Sequence, residues 1–118
     1  SEPYAVAQYN TGLIYEEQGN IDDALVAWER VPKDASEHFY KAQFNIGGAY
    51  YKLGETDDAV AVWKNIPESA SEQYEMAQTN LSIIAENQEK AKDSGETEQQ
   101  DGSAKNQEKP SEQKKQEG

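Results

Sequence analysis

The sequence has no cysteine, little positive charge and no long apolar run. Its 118 residues include one His, one Met and 11 Lys or Arg, against 23 Asp or Glu. Without Cys, the chain has no disulfide framework, no thiolate metal site and no Cys nucleophile. The net charge of −12 would repel a phosphate backbone, so nucleic acid is not expected as a ligand. Because no apolar run approaches the ~20 residues that cross a bilayer, we expect no membrane insertion.

The C-terminal part of the chain differs in composition from the rest. Residues 91–118 contain five Lys and seven Asp or Glu, and their apolar side chains are Ala91 and Ala104. Such a segment cannot bury enough surface to offset the entropy of ordering it, so we expect a disordered polar tail. Residues 1–90 then form the single folded domain that this length accommodates, with 16 acidic and 6 basic residues. Ser at position 1 indicates an excised fragment, which leaves the compartment open.

The folded part contains an internal repeat. Aligning residues 36–70 with residues 1–35 gives 14 identities without a gap. The same shift extends into a third copy that stops halfway, with identities at Ser71, Glu72, Ala77, Gln78 and Asn80. A fixed period of roughly 20–50 residues is typical of stacked repeat architectures, in which each unit packs on its neighbours. We therefore divide the domain into units 1–35 and 36–70, followed by a closing helix over 71–90.

The second half of each unit has the spacing of an amphipathic helix. Apolar residues recur at i, i+3, i+4 and i+7, first at Ala24, Ala27, Trp28 and Val31 and then at Ala59, Val62, Trp63 and Ile66. Pro32 and Pro67 end these helices, because proline has no N–H to donate and clashes with the preceding turn. We expect both Trp side chains to pack between helices, where a large aromatic ring buries the most apolar surface.

The first half of each unit also predicts a helix with one apolar face. That face combines Tyr4, Ala7, Thr11, Ile14 and Tyr15 in the first unit and Phe39, Ala42, Ile46, Ala49 and Tyr50 in the second. Asp34 and Glu37 are spaced as a capping box, as are the equivalent Ser69 and Glu72. A glycine follows the last turn in each unit, where a left-handed residue is favoured.

These patterns together predict an all-α domain without strands. Its five antiparallel helices are expected to span 2–18, 21–31, 36–53, 57–66 and 71–90. The repeated positions resemble the tetratricopeptide repeat family. The matching residues are Ala7, Gly12, Tyr15, Gly19, Ala24 and Trp28 in the first unit and Ala42, Gly47, Tyr50, Gly54, Ala59 and Trp63 in the second. The resemblance implies an α-solenoid of two helix pairs closed by a fifth helix, although Gln8 and Gln43 stand where the family usually has Trp.

The resemblance also implies a binding scaffold in which the first helices of successive units line a concave groove. The candidate peptide site on this groove is Tyr9, Asn10, Leu13, Lys41, Phe44, Asn45, Tyr51, Thr79, Asn80 and Ile83. The same groove is expected to include Val6, Glu17, Gly48, Lys52, Met76 and Asn87. Its aromatic residues are expected to lie off the core and to contact the ligand. Some relatives capture a C-terminal carboxylate through several Lys or Arg, which two lysines do not supply. No cofactor and no metal is implied.

Three asparagines recur at the period of the repeat, at Asn10, Asn45 and Asn80. A side-chain amide both donates and accepts hydrogen bonds, so such a row suits the backbone of an extended peptide whatever its sequence. The alternative is that these side chains only tie neighbouring helices together. The sequence leaves both interpretations open.

Two classes of function remain open. The first is a protein-interaction scaffold for a neutral or basic peptide, which the net −10 of residues 1–90 would attract. The second is a structural fragment of a longer solenoid or a weakly self-associating unit, because two full units are fewer than the three usually needed. An enzyme is not expected, since His38 has no nucleophile or base partner at useful spacing. The Asp22–Asp23 and Asp57–Asp58 pairs suit helix starts better than a cation site.

Overall fold

The computed structural model describes residues 1–93, which form five α-helices and no strand. Their bounds are α1 Glu2–Glu17, α2 Ile21–Glu29, α3 Ser36–Lys52, α4 Thr56–Lys64 and α5 Ser71–Asp93. The all-α prediction is thus confirmed, and each helix ends within three residues of its predicted bounds. The last helix includes the first three residues of the predicted tail. The rest of that tail lies outside the described residues.

Glycine follows the first helices as predicted, whereas α2 and α4 end two residues before the predicted Val31 and Ile66. Gly19 and Gly54 follow α1 and α3 with φ of 83° and 81°, the left-handed conformation that glycine adopts without steric cost. Pro32 and Pro67 follow α2 and α4 within three residues. The turn residues therefore set the length of each helix and bring the next one back antiparallel.

The helices start within one residue of the predicted positions, but the predicted capping boxes do not form at the starts of α3 and α5. The capping box at Asp34 is wrong, because α3 begins at Ser36 and its N-cap is Ala35, which makes no side-chain hydrogen bond. The box at Ser69 is wrong in the same way, because α5 begins at Ser71. The acidic residues in the first turns instead face the positive end of the helix dipole without closing a box.

The helices pack as two antiparallel pairs and a single last helix. α1 packs on α2 and α3 on α4 within a unit, while α2 packs on α3 and α4 on α5 between units. α1 also contacts α3, and α3 contacts α5, whereas no Cα atom of α2 lies within 8 Å of α4. The first helices are therefore closer together than the second helices. The layer of α1, α3 and α5 is thus the concave side of the solenoid.

The core of each unit is built around one tryptophan, as predicted. Trp28 is fully buried and Trp63 is 3% exposed. Each indole packs against the first helix of its own unit where that helix has a glycine, at Gly12 and at Gly47. A Cβ atom at either glycine would overlap the indole ring, so only glycine allows the two helices to approach this closely.

The apolar face predicted for the first helices is confirmed in α3, but in α1 only Tyr15 of that face packs against the core. In α3, Ala42 and Ala49 are fully buried and Ile46 is 3% exposed. The equivalent residues of α1 are accessible, with Tyr4 at 46% and Ile14 at 55%. The two helices differ because they have different neighbours. α3 packs on the second helix of the preceding unit, whereas within residues 1–93 no helix packs on the equivalent face of α1.

Candidate functional site

The candidate peptide site lies on the layer of α1, α3 and α5. Its members are Tyr9, Asn10 and Leu13 on α1, Lys41, Phe44, Asn45 and Tyr51 on α3, and Thr79, Asn80 and Ile83 on α5. All ten are exposed or half-buried. Because these helices contact one another in turn, residues at the same repeat position form rows across the concave side. We call this surface, together with Gly48, Lys52 and Met76, the groove.

One row of the groove consists of asparagines. Asn10 is exposed, and Asn45 and Asn80 are half-buried. Within residues 1–93, none of these three side chains forms a hydrogen bond with another protein group. The described residues therefore give no support to the alternative that these asparagines tie neighbouring helices together. Their donors and acceptors remain accessible to solvent or to a ligand.

The groove also holds much of the exposed apolar surface. Leu13, Tyr51, Met76 and Ile83 are 37%, 45%, 39% and 48% exposed. They are half of the large apolar side chains that are exposed between residues 1 and 93. Apolar side chains left in water on a concave surface are typical of a binding site, because a ligand can cover them.

Two aromatic residues of the groove are less exposed to solvent than predicted. Tyr9 and Phe44 are half-buried and pack against the two cores. Their backbone oxygens accept hydrogen bonds from the indole Nε1 atoms of Trp28 and Trp63, at 3.1 and 3.0 Å. The core contacts therefore hold their backbone in place, and only Tyr51 is exposed as predicted.

Both lysines of the groove lie beside carboxylates. Lys52 Nζ donates a hydrogen bond to Glu16 Oε2 at 2.7 Å and so links α3 to α1. Lys41 Nζ lies 3.4 Å from Glu37 Oε2, one turn earlier on α3. The pairing of Lys52 could not be read from the sequence, because its partner is 36 residues away. With both cations paired, the groove offers no free cluster of positive charge for a terminal carboxylate.

His38 lies on α3 and packs toward α1. Its ring meets that of Tyr9 edge-on, with centroids 5.9 Å apart. Its Nδ1 is 3.4 Å from Glu2 Oε2, which suits an ion pair when the imidazole is protonated but lacks hydrogen-bond geometry. No Ser, Thr or Lys nucleophile is bonded to His38 in the described part of the chain.

Tyr50 connects the two units on the side away from the groove. Its hydroxyl donates a hydrogen bond to Glu29 Oε2 at 3.4 Å, between α3 and α2. Burial raises the pKa of Tyr50, and the charges of Glu29, Asp58 and Glu55 raise it further. The phenol therefore keeps its proton at neutral pH and acts as a fixed donor between helices.

Other features of the described residues suggest no second site. Among residues 1–93 there is no group of three or more His, Asp or Glu side chains that could hold a metal ion. None of the five helices is long and apolar enough to cross a membrane. An open cleft of about 440 Å³ lies between the starts of α3 and α5, and it includes none of the groove residues. The groove and the exposed outer face of α1 are therefore the surfaces that remain to be explained.

Comparison with known families agrees with the period read from the sequence. A model of the tetratricopeptide repeat matches residues 6–38 and 41–71, which together make up more than half of the chain. The two matches begin 35 residues apart, as the two units do. No curated protein and no solved structure matches the chain.

Proposed function

The chain belongs to the tetratricopeptide repeat family, and from that premise we propose that its groove binds an extended peptide segment of a partner protein. Repeats of this family generally mediate protein–protein interaction, and its members are typically scaffolds without enzymatic activity. The partner is therefore a protein. The proposal adds which surface binds it and in what form the bound segment is held.

The row of asparagines is the observation that carries the proposal. Packed helix axes lie about 8–10 Å apart, and an extended chain rises about 3.3 Å per residue. A peptide that crosses α1, α3 and α5 therefore passes one amide for roughly every three of its residues. Asn10, Asn45 and Asn80 can each donate to a peptide carbonyl and accept from a peptide N–H. Such bonds hold the backbone and leave the choice of sequence to the apolar residues beside them.

The charge of the domain supports a basic or neutral segment. Residues 1–90 carry 16 acidic and 6 basic side chains. Both lysines of the groove are paired with carboxylates of their own domain, so neither is left unpaired to repel a basic segment. A cationic segment would be attracted over a Debye length of about 10 Å at 0.1 M salt. Its association should therefore slow as salt is added.

Two isoleucines provide a matched test of the proposal. Ile83 lies in the groove and is 48% exposed, while Ile14 lies on the outer face of α1 and is 55% exposed. Peptides selected from a random library on the complete chain are the probe. Ile83→Ala should weaken their binding about fivefold, since roughly 1 kcal/mol of apolar contact is lost. Ile14→Ala should leave the affinity unchanged. Binding that depends on Ile14 and not on Ile83 would refute the proposal.

A second candidate function rests on the open face of α1. Tyr4 and Ile14 occupy positions that are covered in α3 and α5. This observation favours self-association through α1, in which a second copy covers the face. Sedimentation equilibrium separates the two candidates. A monomer mass at all concentrations supports the peptide scaffold alone. A mass that rises with concentration, and falls back in Ile14→Glu, supports self-association.

A further inference from the structure

Gly48 is a glycine that the fold does not require. It lies inside α3, a full turn before the helix ends, and its φ is not in the left-handed region. A Cβ atom placed on it would meet nothing within 4 Å. The adjacent Gly47 is the opposite case, because there a Cβ would overlap the ring of Trp63. Glycine destabilises the interior of a helix relative to alanine. Gly48 therefore weakens α3 without allowing any closer packing.

The other two first helices carry large apolar side chains at this repeat position. A shift of 35 residues places Leu13 on α1 and Ile83 on α5 in the same row as Gly48. Both side chains are exposed, at 37% and 48%. Across the concave side, this row therefore has a large side chain on α1, no side chain on α3 and a large side chain on α5. We call the missing side chain on α3 the gap.

Aromatic rings border the gap along α3. Phe44 lies one turn before Gly48, and Tyr51 lies nearly one turn after it. Their ring centroids are 5.9 and 6.4 Å from that of Trp63, so both rings are supported by the core. We call the space bounded by Leu13, Phe44, Tyr51 and Ile83 above Gly48 the notch. A Cβ atom on Gly48 would meet nothing within 4 Å, so the notch is open, and the four side chains that define it are apolar or aromatic.

We propose that the notch receives one large apolar side chain of the bound peptide, of the size of Leu, Met or Phe. This inference rests on the proposed function, since it needs a peptide in the groove. The paired lysines and the acidic excess of the domain favour basic residues on either side of that apolar residue. The recognised segment is thus a single large apolar residue flanked by positive charge, and Gly48 determines the size of that residue.

Filling the notch tests this inference. Peptides selected from a random library on the complete native chain are titrated into the native chain, Gly48→Ala and Gly48→Leu. Because a Cβ atom at position 48 meets no protein atom within 4 Å and the longer side chain extends into the open notch, both variants should keep the native far-ultraviolet circular dichroism. The affinity should fall slightly in Gly48→Ala and by about tenfold or more in Gly48→Leu. Ala61→Leu, which enlarges an exposed residue of α4 outside the groove, should bind as the native chain does.

The outcomes separate this inference from the proposed function. Peptides that bind the native chain and Gly48→Leu equally well would overturn the role of the notch and leave the groove in place. A native chain that selects no peptide from the library would overturn both. Selection on Gly48→Leu should also shift the preferred peptides from a large apolar residue to a small one. An unchanged preference would contradict the assignment of Gly48 as the residue that sets the size.

Discussion

At the scale of single residues, each unit depends on one contact between a tryptophan and a glycine. Trp28 meets Gly12, and Trp63 meets Gly47, in the same geometry. Each indole fills the space between the helices of its unit and also satisfies its own N–H with a backbone carbonyl of the first helix. The glycine allows the two helices to approach closely, and the tryptophan fills the space that remains between them.

Replacing Trp63 by alanine should be severely destabilising. We expect Trp63→Ala to lower the free energy of unfolding by about 3–5 kcal/mol, because a buried ring is lost and a cavity remains. Trp63→Phe should lower the free energy of unfolding less, because phenylalanine keeps an aromatic ring in the core, although it loses the hydrogen bond to the Phe44 carbonyl oxygen. Thermal unfolding followed by circular dichroism measures both. A melting curve of Trp63→Ala like that of the native chain would show that the indole does not hold the unit together.

Two adjacent glycines should respond in opposite directions to the same substitution. Gly47→Ala should lower the stability by about 1–3 kcal/mol, because its Cβ overlaps the ring of Trp63. Gly48→Ala should raise the stability by about 0.5–1 kcal/mol, because its Cβ meets open space and alanine favours the helix. Urea unfolding of the two variants gives the comparison. Equal effects at both positions would mean that the contact with Trp63 is not the reason for Gly47.

The sequence predicts the core residues better than the groove residues. The identity of Trp28 and Trp63 at one period, with small residues opposite them, is enough to place both rings between helices. Nothing in the spacing shows that the carbonyls of Tyr9 and Phe44 accept the indole hydrogen bonds. Those bonds depend on how two helices approach, so the half-burial of both residues appears only in the structure.

At the scale of elements, helices of the same sequence type differ because their neighbours differ. The face of α3 that packs on α2 has the same pattern as the outer face of α1. A repeat pattern records which residues are apolar, but it does not record whether another helix covers them. Helix ends were predictable for the opposite reason, since Gly19 and Gly54 impose their own backbone conformation locally.

The contrast between α1 and α3 predicts two different outcomes for one change. Ala42 is fully buried, while its repeat equivalent Ala7 is exposed. Ala42→Glu should cost more than about 3 kcal/mol, because it places an unpaired charge between helices. Ala7→Glu should stay within about 0.5 kcal/mol of the native chain. Chemical denaturation tests both variants. A large loss in Ala7→Glu would show that the outer face of α1 is covered in solution.

At the scale of the whole molecule, the described helices contain both cores. Deleting residues 94–118 should therefore leave the melting temperature almost unchanged, because the core residues lie between Ala5 and Ile84. Differential scanning calorimetry of the shortened and complete chains makes the comparison. A fall of several degrees in the shortened chain would mean that residues beyond Asp93 contribute to the stability of the fold.

The central claim is that the groove binds an extended peptide through its row of asparagines. The most direct measurement is a titration of the ¹⁵N-labelled complete chain with library-selected peptides, followed by two-dimensional NMR at low and moderate salt. We expect shifts at the side-chain amides of Asn10, Asn45 and Asn80 and at the backbone around Gly48, and these shifts should be smaller at higher salt. Shifts confined to Tyr4, Ile14 and their neighbours, growing with protein concentration and independent of peptide, would contradict it.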